Sequence, residues 1–128
     1  MDLQIFPGYA ALLGLLYLFL SVRAIGARRA ARKAIGPLGE ERLDRRMRAH
    51  ANFAEYVPLV LLLLAFAELR GAGPVTVHVA CILLVAGRSA HAFGVSRVPE
   101  NFRWRVAGMA GTLTALGISV LMLLAGYA

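Results

Sequence analysis

Polar and apolar residues do not alternate along this chain; they separate into blocks. Apolar runs cover Leu3–Val22, Ala51–Ala67, Gly71–Gly87 and Val106–Ala128, and Glu55 is the one charge inside any of them. A helix that crosses a bilayer needs about 20 apolar residues, within a range of roughly 17–25. Four runs of that size joined by short connections predict an all-α integral membrane protein. It would be a single domain, residues 1–128, folded as a four-transmembrane-helix bundle. The first helix is expected from about residue 6 to 35, because Ala, Leu and Arg extend it until Gly36-Pro37-Leu38-Gly39 breaks it. Glu40, Glu41 and Asp44 then open a second helix, about 41–68, with acids where the helix dipole favours them. The turn Arg70-Gly71-Ala72-Gly73-Pro74 starts a third, about 74–93, and a fourth is expected over about 103–126. Only Asp2 is charged ahead of the first run. That run also exceeds the roughly 7–15 residues of a secretory h-region, so the first helix is expected to be retained.

Composition strengthens this picture. The chain is 59% hydrophobic and 16% charged, against about 45–50% and 25% in soluble domains. A net charge of +7 would suggest nucleic acid in a soluble protein, but its placement gives another explanation. Of the 14 Lys and Arg residues, all but Arg70 lie at or near the first and third connections. The first group is Arg23, Arg28, Arg29, Arg32, Lys33, Arg42, Arg45, Arg46 and Arg48; the second is Arg88, Arg97, Arg103 and Arg105. The positive-inside rule puts both connections in the cytoplasm and both termini outside. No nucleic-acid role is expected. Trp104 and Tyr127, near opposite ends of the fourth helix, fit interfacial aromatic belts. The Ala-, Arg- and Leu-rich composition suggests a high-GC bacterium and hence an inner membrane.

Several features lower the count of possible chemistries. Cys81 is the sole cysteine, expected as a small buried hydrophobe. His50, His78 and His91 have no ligand spacing, so no metal site is expected, and His78 reads as a polar residue hydrogen-bonded within the bundle. No nucleophilic triad or phosphate-binding glycine loop is visible. Small residues recur in the fourth helix at Ala107, Gly108, Ala110, Gly111, Thr112, Ala115 and Gly117. They let membrane helices approach closely, either within one bundle or at a seam between copies.

Glu55 is the informative position. A charge well inside a bilayer costs at least ~2.5–3.5 kcal/mol on insertion scales, so it tends to face a bundle interior and to carry function. Helical spacing aligns Arg48, Asn52, Glu55 and Tyr56 along one stripe. Arg88 and His91, three residues apart, form a second polar stripe near the same end. Arg28 and Arg29 approach from the first helix, and Arg103 and Arg105 from the fourth. Arginine binds carboxylates through paired hydrogen bonds. Arginines converging on an acid therefore suit a small ligand carrying several carboxylates and an amine, with Glu55 meeting the ammonium group. The bland alternative is an Arg48–Glu55 or Arg45–Glu55 tether that serves only packing.

The segment Arg48-Ala49-His50-Ala51-Asn52-Phe53-Ala54-Glu55-Tyr56-Val57-Pro58 resembles the second-helix signature of the MAPEG family, the membrane-associated proteins in eicosanoid and glutathione metabolism. Ala27-Arg28-Arg29-Ala30, Gly87-Arg88-Ser89-Ala90-His91-Ala92-Phe93-Gly94 and Arg103-Trp104-Arg105-Val106-Ala107-Gly108-Met109 resemble the ends of its first and third helices and the start of its fourth. The resemblance implies a left-handed bundle assembled as a homotrimer, with glutathione as cosubstrate held between neighbouring subunits. Carried over by position, Arg28 and Arg48 would bind glutathione carboxylates, with Arg29 beside them. Asn52 and Glu55 would hold its polar groups, Tyr56 would flank it, and Arg88 and His91 would line the site. The thiolate-stabilising arginine would be Arg105 or Arg103, with Arg105 favoured. Some eukaryotic members carry two tyrosines at the end of the third helix where this chain has His91 and Val95, so eicosanoid specificity does not transfer.

The resulting expectation is a membrane-bound glutathione-dependent transferase or peroxidase acting on a lipophilic second substrate. A noncatalytic lipid-binding or scaffold member of the same fold is the alternative. A small proton-coupled multidrug exporter fits less well, since such proteins carry an acid within the first helix and Leu3–Val22 has none.

Overall fold

Four helices account for nearly all of the computed structural model, which describes residues 2–126; Tyr127 of the expected aromatic pair lies outside them. They are α1 (Phe6–Ala31), α2 (Glu41–Leu69), α3 (Pro74–Ser96) and α4 (Phe102–Ala125). Each is long and apolar enough to cross a membrane. Their inner faces form one core from Leu13 and Leu20 of α1, Phe53, Val57, Val60 and Leu64 of α2, Val77, Ala80, Cys81 and Leu84 of α3, and Ala115 of α4. The outer faces are equally apolar. Leu15, Leu18, Phe19, Ile82, Leu121 and Leu124 are all more than half exposed, which a soluble bundle would not tolerate but a lipid-embedded one requires.

Helix α1 stops at Ala31, about four residues before the expected end. Arg32 adopts a left-handed conformation (φ 53°, ψ 39°). The Arg32 and Lys33 amides donate to the Arg29 and Arg28 carbonyls, each at 3.2 Å, the double closure of a Schellman cap. Composition did not signal this break, because the residue that turns left-handed is an arginine rather than a glycine. Beyond it, Leu38 folds back onto Ala27 and Leu43 in a small apolar cluster. The Leu38 amide donates to Asp44 Oδ1 at 2.7 Å, and Gly36 and Gly39 supply the positive φ angles of the turn (83° and 79°). At its far end α3 runs to Ser96, past the expected residue 93, so the last connection is short and includes a cis Val98–Pro99 bond.

The closest packing is between α3 and α4, at crossing glycines. A Cβ on Gly87 would meet the Gly108 carbonyl oxygen at 2.9 Å, and one on Gly94 would meet the Arg105 amide nitrogen at 2.5 Å. A Cβ on Gly108 would strike the His91 backbone. Of the small residues in α4, Gly108, Thr112 and Ala115 are therefore used within the bundle. Ala107, Ala110 and Gly117 remain on its outside.

The end of the bundle opposite the arginine-rich connections is tied by side chains. Glu68 of α2 accepts the Gln4, Ile5 and Phe6 amides at 2.8, 2.7 and 2.7 Å, capping α1, which has no capping side chain of its own. Tyr9 Oη and His78 Nδ1 are 2.8 Å apart, joining α1 to α3.

Candidate functional site

The residues singled out in the sequence fall into three groups at the arginine-rich end. The first is an outward pair. Arg48 Nη1 donates to Glu55 Oε1 at 3.3 Å and Nη2 to Oε2 at 3.4 Å, with about half of each side chain exposed (56% and 50%). Glu55 therefore faces the outside of its own bundle rather than the interior that its depth suggested. Tyr56, the next residue, is half-buried.

The second group is buried. Arg88 is fully enclosed and Asn52 and His91 nearly so. Arg88 Nη2 donates to Asn52 Oδ1 at 2.7 Å and lies 3.4 Å from His91 Nδ1. Its Nη1 reaches Thr112 Oγ1 at 3.5 Å, and its guanidinium lies 5.8 Å from the Phe53 ring centroid. The network spans α2, α3 and α4. Asn52 thus turns inward from the stripe it shares with Arg48 and Glu55. Arg88 and His91, expected to line the site, are enclosed in the bundle and border neither the cavity beside Arg48 nor the one beside Arg28.

The third group lines the surface. A cavity of about 690 Å³ is bordered by Gly39, Glu41, Asp44, Arg45, Arg48, Val95, Glu100 and Arg105. It brings Arg105 to the same space as Arg48. Arg103 is exposed on α4 and does not border it, and Arg29 is likewise exposed. Arg28 opens onto a different cavity of about 300 Å³, with Ser21, Ala24, Ile25, Met47 and His50. There, His50 stacks on Tyr17 (5.1 Å), which stacks on Phe53 (5.3 Å). Arg28 also donates to the Lys33 and Gly36 carbonyls at 3.4 and 3.3 Å, holding the first connection in place.

Glu100 borders the same cavity as Arg48 and Arg105 and was not among the residues the sequence pointed to. Both of its oxygens accept from Arg105 Nη1 at 2.9 Å, and Oε2 also accepts from Arg45 Nη1 at 2.8 Å. Arg45 is held in turn by Glu41 at 2.9 Å and by the Val95 carbonyl at 3.2 Å. The Arg45 hydrogen bond, followed by that of Arg105, keeps the Glu100 carboxyl below its ordinary value. The signal was available only as an acid in a strongly basic connection. Among the described residues, no group of three or more His, Cys, Asp or Glu side chains gathers as a metal site would require.

Four membrane-spanning helices with a polar, arginine-lined surface at one end define a multi-pass integral membrane protein. Residues 6–125 match the MAPEG family, and the chain belongs to it. It is 38% identical over 113 residues to the inner membrane protein YecN of Escherichia coli strain K12, covering 88% of this chain and 85% of that protein. The YecN protein of E. coli O6:H1 matches to the same extent.

Proposed function

We propose that this protein is a glutathione-dependent transferase or peroxidase of the inner membrane, assembled as a homotrimer with its site between neighbouring subunits. One observation carries the reading. Arg48, which is paired with Glu55, borders one cavity together with Arg105, whereas Arg28 opens onto another on a different face of the bundle. A single subunit therefore offers two half-sites. A neighbouring copy that set its Arg28 and His50 against Arg48, Glu55 and Arg105 would complete a pocket with arginines for two carboxylates and an acid for an ammonium group. That is the charge pattern of glutathione. The relatives' designation as inner membrane proteins supports the location, and the basic connections would then be cytoplasmic with both termini outside.

A free thiol has a pKa near 8.5, so about a few per cent is ionised at neutral pH. A guanidinium beside it lowers that value by roughly one to two pH units, about 1.4–2.7 kcal/mol. In transfer, the thiolate forms a bond to an electrophilic carbon and the leaving group departs with its electron pair. In hydroperoxide reduction, two glutathione thiols supply two electrons, giving the disulfide, an alcohol and water. Arg105 is the residue assigned to the thiolate. Arg28 and Arg48 would take the carboxylates and Glu55 the amine, with Arg88 and His91 bracing Asn52.

Titrating purified protein with glutathione at the thiolate absorption band tests this reading. Arg105→Ala should remove the band while glutathione still binds, Arg103→Ala should leave it near wild type, and Arg48→Ala or Glu55→Gln should weaken binding. A wild-type protein that binds no glutathione would refute the proposal. A noncatalytic lipid-binding role is the second reading, favoured by the capture of Arg105 by Glu100; it predicts no thiolate band at any glutathione concentration.

A further inference from the structure

A groove of about 360 Å³ runs along the outside of the bundle between α1 and α3, away from both half-sites. Its floor and walls are Leu16, Phe19, Leu20, Ser89, Ala92 and Phe93, and its upper end holds Arg23, Ser96 and Arg97. The two parts differ sharply in chemistry. From Arg23 to Leu16 the groove follows α1 for about two turns, roughly 10 Å of helix. Every residue along it below the arginines is apolar except Ser89, whose hydroxyl donates to the Val85 carbonyl at 2.8 Å within its own helix.

At the upper end two guanidinium groups are fixed by aromatic rings and not by acids. The Arg23 guanidinium lies 5.6 Å from the Phe19 ring and that of Arg97 lies 5.0 Å from the Phe93 ring. Arg23 Nη1 also donates to Ser96 Oγ at 3.3 Å, closing the groove's mouth across the two helices. The ion pairs formed among the described residues engage Arg45, Arg48 and Arg105, and none involves Arg23 or Arg97. Behind them Arg46 and Arg42 of α2 add like charge that repels Arg23, and Arg46 Nε is buried with no hydrogen-bond partner. The C-terminus of α3 brings only about half a negative charge, so the mouth is strongly positive.

We propose that this groove binds an anionic glycerophospholipid. The headgroup phosphate would sit between Arg23 and Arg97, with the Ser96 hydroxyl beside it, and one acyl chain would lie along Phe19, Leu20, Leu16 and Phe93. Charge complementarity selects the anion, and the continuous apolar extension below it selects a lipid over a free anion. Basic pockets between transmembrane helices recognise phospholipid headgroups in this way. The site is independent of the glutathione reading, since it shares no residue with either half-site.

Native mass spectrometry of the full-length protein, released from detergent with added phosphatidylglycerol or phosphatidylcholine, tests the assignment. Phosphatidylglycerol should be retained in preference to phosphatidylcholine. Arg23→Gln/Arg97→Gln should weaken its retention roughly 10- to 30-fold, the effect of two interfacial basic residues. Arg23→Lys/Arg97→Lys should hold most of it, which separates loss of charge from loss of fold. Arg29→Gln/Arg32→Gln removes equal charge from the same end and should change retention little. Equal losses in the two glutamine variants would overturn the proposal in favour of diffuse attraction. Displacement of the lipid by inorganic phosphate would overturn it in favour of a free-anion site. A change in oligomeric state of the Arg23→Gln/Arg97→Gln variant without loss of lipid would make the groove a contact between copies.

Discussion

At the scale of single residues, the site is governed by how arginines are shared between acids. Glu100 occupies Arg105 and Arg45 together, so the guanidinium assigned to the thiolate carries its own internal counter-ion. Because the folded Glu100 is held below its ordinary value of 4.5, first by Arg45 and then by Arg105, it binds fewer protons than the unfolded chain over the interval between the two values. Its stabilising contribution is thus full above the ordinary glutamate pKa and falls away as pH drops through the lower folded value. Thermal midpoints of wild type and Glu100→Gln, compared from about pH 7 to about pH 3, should differ most at neutral pH and converge in acid. A constant gap would mean that the clamp does not act through ionisation. The same substitution releases Arg105 from competition, so the glutathione thiolate band at neutral pH should grow by a few-fold at subsaturating glutathione if Arg105 is its partner.

At the scale of elements, two helix features carry measurable strain or fit. Arg32 closes α1 in a left-handed conformation, which costs a residue with a Cβ about 1–2 kcal/mol. Glycine would relieve that cost but lose more freedom on folding, so Arg32→Gly should stabilise the protein by a net of roughly 0.5–1 kcal/mol. Reversible unfolding in mild denaturing detergent reads this, and a destabilised variant would mean that the arginine side chain matters more than its backbone. Gly108→Ala should act oppositely. Its new methyl would strike the His91 backbone and the Gly87 carbonyl oxygen, neither of which can move without separating α3 from α4. A loss toward the upper end of roughly 1–3 kcal/mol is expected, whereas Gly117→Ala, with open space around it, should cost almost nothing. These elements also mark what the sequence made legible. The four spans were visible because blocks of apolar residues have one physical meaning at this length. The end of α1 was not, since Arg28 to Lys33 contains only good helix formers and the break lies in a backbone angle. The seven-residue spacing of Arg48 and Glu55, two turns of one helix face, allowed their pairing, but its outward direction was not legible, because the depth of Glu55 pointed to the interior. Nor was the inward turn of Asn52, because a stripe wide enough to hold four residues borders both the core and the outer surface. Glu100 was hidden for a different reason: its partners lie on two other segments, and only the folded connection brings Arg45 and Arg105 together.

At the scale of the whole molecule, the half-sites proposed for glutathione set a requirement that a single chain would not meet. Arg48 and Arg105 border one cavity and Arg28 another, so a glutathione spanning both needs two subunits related by rotation. In a cyclic trimer each of three interfaces would take one half-site from each neighbour. Arg28→Ala and Arg48→Ala would each cripple every interface when expressed alone. When the two variants are co-expressed in equal amounts and assemble at random, an intact site arises wherever an Arg28→Ala subunit supplies Arg48 to a neighbour that is Arg48→Ala and supplies Arg28. That pairing occurs at about one interface in four. The thiolate band of the mixed protein should therefore recover to about a quarter of the wild-type amplitude, with near wild-type affinity in the recovered fraction. Mixing the variants after separate purification should restore nothing unless subunits exchange. If the co-expressed protein shows no more signal than the average of its parents, Arg28 and Arg48 do not meet across an interface, and glutathione would have to be held by one subunit alone.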